Sequence, residues 1–191
     1  MRTRISALGL VVPLALGVAG CSTHEAAPTG PSPVPEGVAQ QYSVLQEEIK
    51  ANGGETTAGP WQIGYIVEAA EPWFEGHEGH QSHRPPQANE THHIEIIPRE
   101  AETGRIVPDV PVTLEVVDAS GKVVDSKRLN FYYSEFFHYA NNFSIPQAGK
   151  YTLRVSLESP TFFRHGENPA EPPLAEGAQV SFPDVELQPE G

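Results

Sequence analysis

Apolar and polar residues alternate with a period of two along much of the chain after Trp61, and this alternation restricts the folds open to it. The segments Val112–Asp118 and Tyr151–Leu157 have the pattern most clearly. Successive side chains of a strand point to opposite faces, so each such segment would bury one face and expose the other. We predict strands at Trp61–Ala69, Thr91–Pro98, Val112–Asp118, Val123–Asn130, Phe137–Phe143, Tyr151–Leu157 and Gln179–Leu187.

The order and spacing of these strands favour an all-β fold. Gly-containing turns separate several of them, as at residues 118–121 and 147–150, and short strands joined by such turns are typical of β-sandwiches. No stretch of residues 41–191 sustains a helical period, and Tyr42–Lys50 fits a short strand as well as a helical turn. We therefore predict an immunoglobulin-like β-sandwich of seven or more strands.

The first twenty residues have the organisation of a bacterial lipoprotein signal peptide. Arg2 and Arg4 precede the apolar stretch Ile5–Gly17, which has the length of a signal peptide rather than of a membrane span. The small residues Val18-Ala19-Gly20 stand directly before Cys21, as a lipoprotein signal peptidase requires. We predict that residues 1–20 are removed and that acylated Cys21 anchors the chain to the cell membrane on its extracytoplasmic side, periplasmic or cell-surface.

Composition divides the remaining chain and excludes several functions. Residues 21–40 are rich in proline and small residues and predict a disordered tether, whereas residues 41–191 are long enough for one β-sandwich domain. Without the signal peptide the chain has 10 basic and 25 acidic residues and a net charge of −15, which argues against nucleic acid as a partner. Acylation consumes the sulfur of Cys21, the only cysteine, so a metal site must use His, Asp, Glu or backbone oxygen.

His93 and Glu95 are candidate metal ligands, and His138 and His165 are weaker single candidates. His93 and Glu95 lie two apart on one predicted strand and therefore share a face, where both could bind one cation. A cross-strand salt bridge or a solvated pair is the alternative. His138 follows an aromatic segment and His165 follows a predicted strand end; the alternatives are an ordinary packed histidine and an exposed loop residue.

A separate group of histidines lies between Pro72 and Glu90, where the strand pattern breaks. His77, His80 and His83 alternate there with glycines and polar residues, and two prolines follow, so we predict a loop. These histidines could capture a metal ion weakly as an additional site. A solvated polar insert is the alternative.

Four short motifs occur in an order that matches a known family. They are His93-Ile94-Glu95, Phe136-Phe137-His138-Tyr139, Gly149-Lys150-Tyr151 and Phe162-Phe163-Arg164-His165. On these motifs, the segment from Trp61 to Leu187 resembles the periplasmic iron-transport protein family, small immunoglobulin-like metal-binding proteins that accompany bacterial ferrous-iron permeases. The resemblance implies that His93, Glu95, His138 and His165 bind one metal ion, that the chain forms a homodimer with the site near its interface, and that an iron permease or other membrane transport component is a partner.

The chain departs from the family at the position of a ligand methionine. That methionine aligns with Phe131, a second family methionine aligns with Leu129, and no methionine remains once the signal peptide is removed. Glu135 stands where the family has an aspartate near the site, so a second carboxylate could compensate. Imidazoles with one or two carboxylates suit divalent iron, copper or zinc, and the sequence does not distinguish among them.

These observations predict a membrane-tethered extracytoplasmic divalent-metal-binding protein, for iron or copper, that assists a high-affinity iron-uptake system. One alternative is a structural or adhesive sandwich without a metal site, and another is a metal-dependent surface enzyme. The chain contains no His-Glu-x-x-His, Gly-x-Ser-x-Gly or Gly-rich phosphate motif. We therefore expect no catalytic residues and no enzymatic activity.

Overall fold

Eleven strands and one helix make up the described part of the chain. The computed structural model describes residues 34–168, 170 and 172–188, so the predicted signal peptide, Cys21 and most of the tether lie outside the described residues. The elements are α1 Glu36–Asn52, β1 Gly53–Ala58, β2 Trp61–Ala69, β3 Trp73–His77, β4 His80–Arg84, β5 His92–Glu100, β6 Val112–Val117, β7 Val123–Arg128, β8 Asn130–Tyr133, β9 Phe137–Phe143, β10 Gly149–Leu157 and β11 Ala178–Leu187. None of the described helical residues forms a segment long and apolar enough to cross a membrane.

Two antiparallel sheets pack face to face, which confirms the predicted β-sandwich. One has five strands in the order β1-β2-β5-β9-β8, and the other has four in the order β11-β10-β6-β7. The alternating side chains of β6 and β10 fill the core between the sheets, where Leu114 and Leu153 are fully buried beside Trp61 and Ile94. Each fully buried aliphatic side chain of this kind contributes about 1.5–3 kcal/mol.

A helix lies on the outer face of the five-stranded sheet, and it includes Tyr42–Lys50, for which the sequence left a short strand and a helical turn both open. Helix α1 begins after Pro35 and packs Leu45 and Ile49 against a second, smaller apolar cluster with Ile66, Ile97 and Phe136. Residues 36–40, predicted to belong to the tether, are thus helical. Only Leu45 and Ile49 are buried along the helix, and one i, i+4 pair is too narrow a stripe to produce a recognisable helical period.

Glycine allows the helix to approach the sheet closely. A Cβ atom on Gly64 of β2 would come within 2.8 Å of Ile49 Cδ1, and one on Gly53 would come within 1.8 Å of the Tyr65 backbone oxygen. A larger residue at position 64 would push the helix outward, and one at position 53 would disturb the pairing of β1 with β2. Glycine at position 64 therefore lets Ile49 of α1 pack directly on the sheet.

The histidine-containing insert is a β-hairpin, so the loop prediction is wrong. Strands β3 and β4 pair in register, with His77 opposite His80 and Trp73 opposite Arg84. Glu78 and Gly79 both have positive φ, 36° and 77°, as a two-residue type I′ turn requires. Gly79, which the sequence analysis assigned to a loop, lies in the turn that joins the two strands.

Candidate metal centre

Three candidate ligands converge on the outer face of the five-stranded sheet. On β5, Ile94 and Ile96 point into the core between the sheets, and His93 and Glu95 therefore point the other way. Ala140 of β9 pairs with Glu95, so His138 on the same face lies diagonally across from Glu95. The sequence thus brings two histidines and one carboxylate together through strand parity and register.

The three side chains are close enough to share one ion. Glu95 Oε1 lies 3.4 Å from His138 Nε2 and 4.0 Å from His93 Nε2. One ligand atom from each residue lies within 4.8 Å of the other two, and all three residues are buried. No other group of this kind occurs in the part of the chain that the structure describes.

The electrostatic surroundings favour the uncharged form of all three groups. Burial, and then the nearby carboxylates of Glu68 and Glu48, raise the pKa of Glu95 to about 9. Burial and then the neighbouring His93 lower the pKa of His138 to about 4, and burial lowers the pKa of His93. At neutral pH the metal-free cluster therefore consists of a protonated carboxyl and two neutral imidazoles.

Glu95 has an unsatisfied polar atom that a cation would satisfy. Its Oε2 is buried and makes no hydrogen bond, and such groups are rare in folded proteins because each costs about 1–3 kcal/mol. A divalent cation displaces the carboxyl proton and supplies a charge partner for the oxygen. The donor set of two imidazoles and one carboxylate therefore fits a borderline divalent metal.

Asn142 sets the tautomer of His93, a role that the sequence analysis missed. Its Nδ2 donates to the Glu71 backbone oxygen at 2.8 Å, and its Oδ1 accepts from the Glu71 backbone nitrogen at 3.1 Å. These two bonds fix the orientation of the amide. Oδ1, 2.9 Å from His93 Nδ1, must therefore accept a proton from that nitrogen, which leaves Nε2 with a free lone pair towards Glu95.

A backbone carbonyl orients the second imidazole in the same way. His138 Nδ1 lies 3.3 Å from the Phe136 carbonyl oxygen, which can only accept a hydrogen bond. The ring nitrogen facing Glu95 is again Nε2, without a proton. Both imidazoles thus present a lone pair to the same point before any metal arrives.

The base of the hairpin supports this arrangement from one side. The Tyr132 ring stacks on His138 with centroids 5.5 Å apart, and Trp73 of β3 meets Tyr132 edge-on at 5.8 Å. The guanidinium of Arg84 lies 3.9 Å from the Trp73 ring centroid. These stacked groups exclude water from one side of His138 and connect it to the insert.

A polar connection runs parallel to the aromatic one. Arg84 donates to both oxygens of Glu90 at 2.9 and 2.7 Å, and Glu90 also accepts from Asn142 Nδ2 at 3.2 Å. Burial alone would raise the pKa of Glu90, but the hydrogen bonds from Arg84, the Gln87 backbone and Asn142, together with the charge of Arg84, outweigh it and lower the pKa to about 2. The ionised Glu90 thus holds the hairpin base and Asn142 together.

An acidic cavity of about 640 Å³ opens over the cluster. Besides the three ligands, four glutamates from different segments line it: Glu48 of α1, Glu68 of β2, Glu71 and Glu135. Burial is the main reason that the pKa values of Glu48 and Glu68 are raised, and each is raised further by its acidic neighbours. A cavity with carboxylates on several sides attracts cations.

The remaining predicted residues are not part of the cluster. His165 is exposed in the loop after β10 and lies outside the three-residue group, and Glu135 lines the cavity without joining that group. His77, His80 and His83 are exposed on the hairpin. The ligand roles of all these residues stay predictions.

The register places Phe131, which the family alignment set at the position of the ligand methionine, off the face of the cluster, although Phe131 still lines the cavity. Tyr132 pairs with His138, whereas Phe131 pairs with Tyr139, so Tyr132 shares the cluster's face and Phe131 has the opposite one. The Phe131 ring packs on Tyr139 and Phe137 at centroid distances of 4.8 and 5.3 Å. The short strand β8, which the sequence analysis missed, sets this parity.

Comparisons with known proteins agree with this fold. A family model described as Fe2+ transport protein matches residues 79–186. FetP of uropathogenic Escherichia coli strain F11, as isolated, has the same fold, with 17% identity, a TM-score of 0.51, and coverage of 72% of this chain and 96% of FetP. A copper-bound variant of the same FetP has 14% identity and a TM-score of 0.56, and the match covers 73% of this chain and 92% of that one. The copper-reconstituted P19 protein of Campylobacter jejuni has 15% identity and a TM-score of 0.54, and the match covers 72% of this chain and 96% of P19. No curated protein sequence matches the chain.

Proposed function

We propose, from the premise that this chain belongs to the Fe2+ transport protein family, that it binds a divalent metal ion outside the cytoplasm and assists an iron-uptake system. The observation that carries the proposal is the buried cluster of His93, Glu95 and His138, in which one carboxylate oxygen has no hydrogen-bond partner. We further propose that acylated Cys21 tethers the protein to the membrane. The protein binds and hands on its metal and catalyses no reaction of its own.

The metal is cargo, and the chemistry of the cluster limits its identity. Two neutral imidazoles and one carboxylate suit Fe(II), Cu(II) and Zn(II), and the absence of a thioether removes the softest donor that Cu(I) would prefer. Copper in the FetP and P19 crystal structures supports a site of this class. Metal binding at neutral pH releases the Glu95 proton, since burial raises the pKa of that carboxyl to about 9.

A second copy of the chain would complete the site. The family resemblance gives His165 as a ligand, but His165 is exposed and outside the cluster of its own chain. An exposed aromatic patch made of Phe131, Tyr133 and Phe137 lies beside the cluster, at the open edge of the five-stranded sheet. We propose that this edge forms a homodimer in which His165 of the partner subunit approaches the cluster.

Metal titration of the full chain tests the binding proposal. We expect about one tightly bound divalent ion per chain by calorimetry and elemental analysis, and at least a tenfold loss of affinity for His138→Ala or Glu95→Gln, about 1.4 kcal/mol. The exposed strand residue Glu186 is a matched control, because Glu186→Gln removes a carboxylate from the other sheet. Equal affinity of all three variants for the metal would refute the assignment.

A mixing experiment tests the dimer. In a heterodimer of His138→Ala and His165→Ala subunits, the intact cluster of the second subunit would face the intact His165 of the first. Ligation between subunits therefore predicts that co-refolded mixtures regain tight binding at one site in the mixed dimer. If His165 acts within its own chain, or plays no part, mixing restores nothing beyond the average of the two parents.

A further inference from the structure

The tip of the β3–β4 hairpin has features of a metal site separate from the buried cluster. His77 and His80 flank the two-residue turn and pair directly in the register of the hairpin. Side chains of a directly opposed pair lie on the same face, with Cβ atoms about 4.5–5.5 Å apart. Both residues are exposed, so both imidazoles are accessible to a solvated ion.

This geometry suits a chelate of two imidazoles. Metal–nitrogen bonds of about 2.0–2.1 Å place two ligand nitrogens roughly 3 Å apart, which imidazoles on neighbouring Cβ atoms can reach through their two side-chain torsions. Cu(II), Zn(II) and Ni(II) all accept neutral imidazole. The positive φ values of Glu78 and Gly79, 36° and 77°, define the tight turn that keeps His77 and His80 opposite each other.

The third histidine of the insert faces the other way. His83 pairs with Phe74, and the two rings pack with centroids 5.2 Å apart. Side chains alternate along β4, so His80 shares a face with Arg84, whereas His83 shares the opposite face with Gln81. The register therefore separates His83 from the pair at the turn.

Contacts at its base hold the hairpin in place. Arg84 binds Glu90 through two hydrogen bonds and lies over Trp73, so the strands that carry His77 and His80 are fixed where they leave the sheet. Phe74 and Gln81 of the same hairpin line the acidic cavity. An ion held at the tip is thus attached to an element that forms part of the cavity wall.

We propose that His77 and His80 form a second, exposed site that chelates one borderline divalent cation, with water completing the coordination and with His83 outside it. The site does not depend on the buried cluster. Its exposure and its two protein ligands make it the weaker and faster-exchanging of the two. It would raise the amount of metal held next to the cavity.

Calorimetric titration of the full chain with Cu(II) in a non-coordinating buffer tests the proposal. We expect two binding events in the parent. The weaker event should lose at least tenfold in affinity in His77→Ala and in His80→Ala, and should be unchanged in His83→Ala, which removes the same kind of residue from the same hairpin. Loss in His83→Ala equal to that in His77→Ala, or a weak event that survives His77→Ala/His80→Ala, overturns the proposal.

Two further variants separate this proposal from its alternatives. Gly79→Val strains the turn without removing a ligand, so the weak event should lose affinity; unchanged affinity would show that no fixed register is needed and would overturn the proposal. His93→Ala/His138→Ala should abolish the tight event and leave the weak one. If the parent has no tight event but the weak event follows the expected pattern, the buried centre fails and the hairpin site stands.

Discussion

Replacing Glu95 by glutamine should make the metal-free protein more stable while it destroys the metal site. Glutamine has nearly the same shape and carries no charge. The Glu95 carboxyl has a pKa of about 9 in the folded chain and 4.5 as its unperturbed value, so the folded state binds more protons than the unfolded state between these two pH values. Glu95 therefore favours folding fully below pH 4.5 and progressively less as pH rises to about 9.

The size of the effect follows from linkage. Each pH unit in that window costs 1.36 kcal/mol, so at pH 7 the free energy of unfolding of the parent is lower by about 3 kcal/mol than it would be with a neutral group at this position. Glutamine removes this cost, but it buries an amide that lacks some of its hydrogen-bond partners, which lowers the free energy of unfolding by about 1–2 kcal/mol. We expect Glu95→Gln to gain about 1–2 kcal/mol at pH 7 and more at pH 8.

Urea denaturation in the presence of a chelator measures the difference at several pH values. His138 loses protons on folding, because burial lowers its pKa to about 4, and it changes the stability of both proteins with pH in the same direction. The gap between variant and parent therefore isolates Glu95, and it should widen by about 1.4 kcal/mol per pH unit from pH 5 to 8. A gap independent of pH, or a variant less stable than the parent at pH 8, would refute the account of a protonated buried carboxyl.

Saturating metal should reverse the order of stability. A ligand at a hundred times its dissociation constant stabilises the folded state by about 2.7 kcal/mol, and a hundredfold loss of affinity in Glu95→Gln would remove about 2.3 kcal/mol of this gain. The exposed carboxylate of Glu186 in the other sheet provides the control, since Glu186→Gln should leave the metal effect as it is in the parent. If Glu95→Gln is more stable than the parent without metal and less stable with it, the Glu95 carboxylate serves metal binding and not folding.

Three further predictions follow from the geometry. Asn142→Ala should weaken metal binding by about 10–100-fold, because the amide of Asn142 no longer orients the His93 imidazole. Asn141→Ala on the same strand should leave binding unchanged, and equal calorimetric affinities of the two variants would contradict this prediction. The affinity for the metal should fall about tenfold for each pH unit between pH 8 and 6, because the metal must displace the Glu95 proton. An affinity that does not change with pH would exclude Glu95 as a ligand. Tyr132→Met should shift the metal preference of the site from Zn(II) towards Cu(I) in competition titrations, because the side chain at position 132 lies on the same face as the cluster. Phe131→Met should leave the preference unchanged, and the reverse result would show that the register of this segment is shifted by one residue.

Strand parity explains why much of the fold, and the shared face of His93 and Glu95, could be predicted from the sequence. The period-two pattern gave β2 and β9 with the bounds that the structure has, Trp61–Ala69 and Phe137–Phe143. Parity alone put His93 and Glu95 on one face. His138 came from the family motif, and its place beside Glu95 depends on the pairing of β5 with β9, which a single sequence does not specify.

The elements that the sequence analysis missed lack a strong local signal. Helix α1 buries only Leu45 and Ile49, and its place is set by contacts with residues far along the chain. In the sequence, nothing distinguishes Asn142 from the adjacent Asn141. Its role depends on hydrogen bonds with the backbone of Glu71, which is 71 residues away along the chain. The face that Phe131 occupies depends on the pairing of β8 with β9, which a short sequence motif does not show.

The glutamates around the cavity have opposite effects on the empty and the loaded centre. Glu48, Glu68, Glu71 and Glu135 all raise the pKa of Glu95, which disfavours the ionised ligand and so opposes binding. Once a divalent ion has replaced the proton, however, the centre would carry a net charge of about +1, and an ionised carboxylate at a separation of about 10 Å would attract such a charge by roughly 1.7 kcal/mol at an effective dielectric constant of about 20. The empty centre is neutral and gains nothing from them. At the same distance, the attraction of a glutamate to the two positive charges of the metal ion exceeds its repulsion from the one negative charge of ionised Glu95. The acidic cavity therefore favours the metal-loaded state, although the metal-free cluster carries no charge.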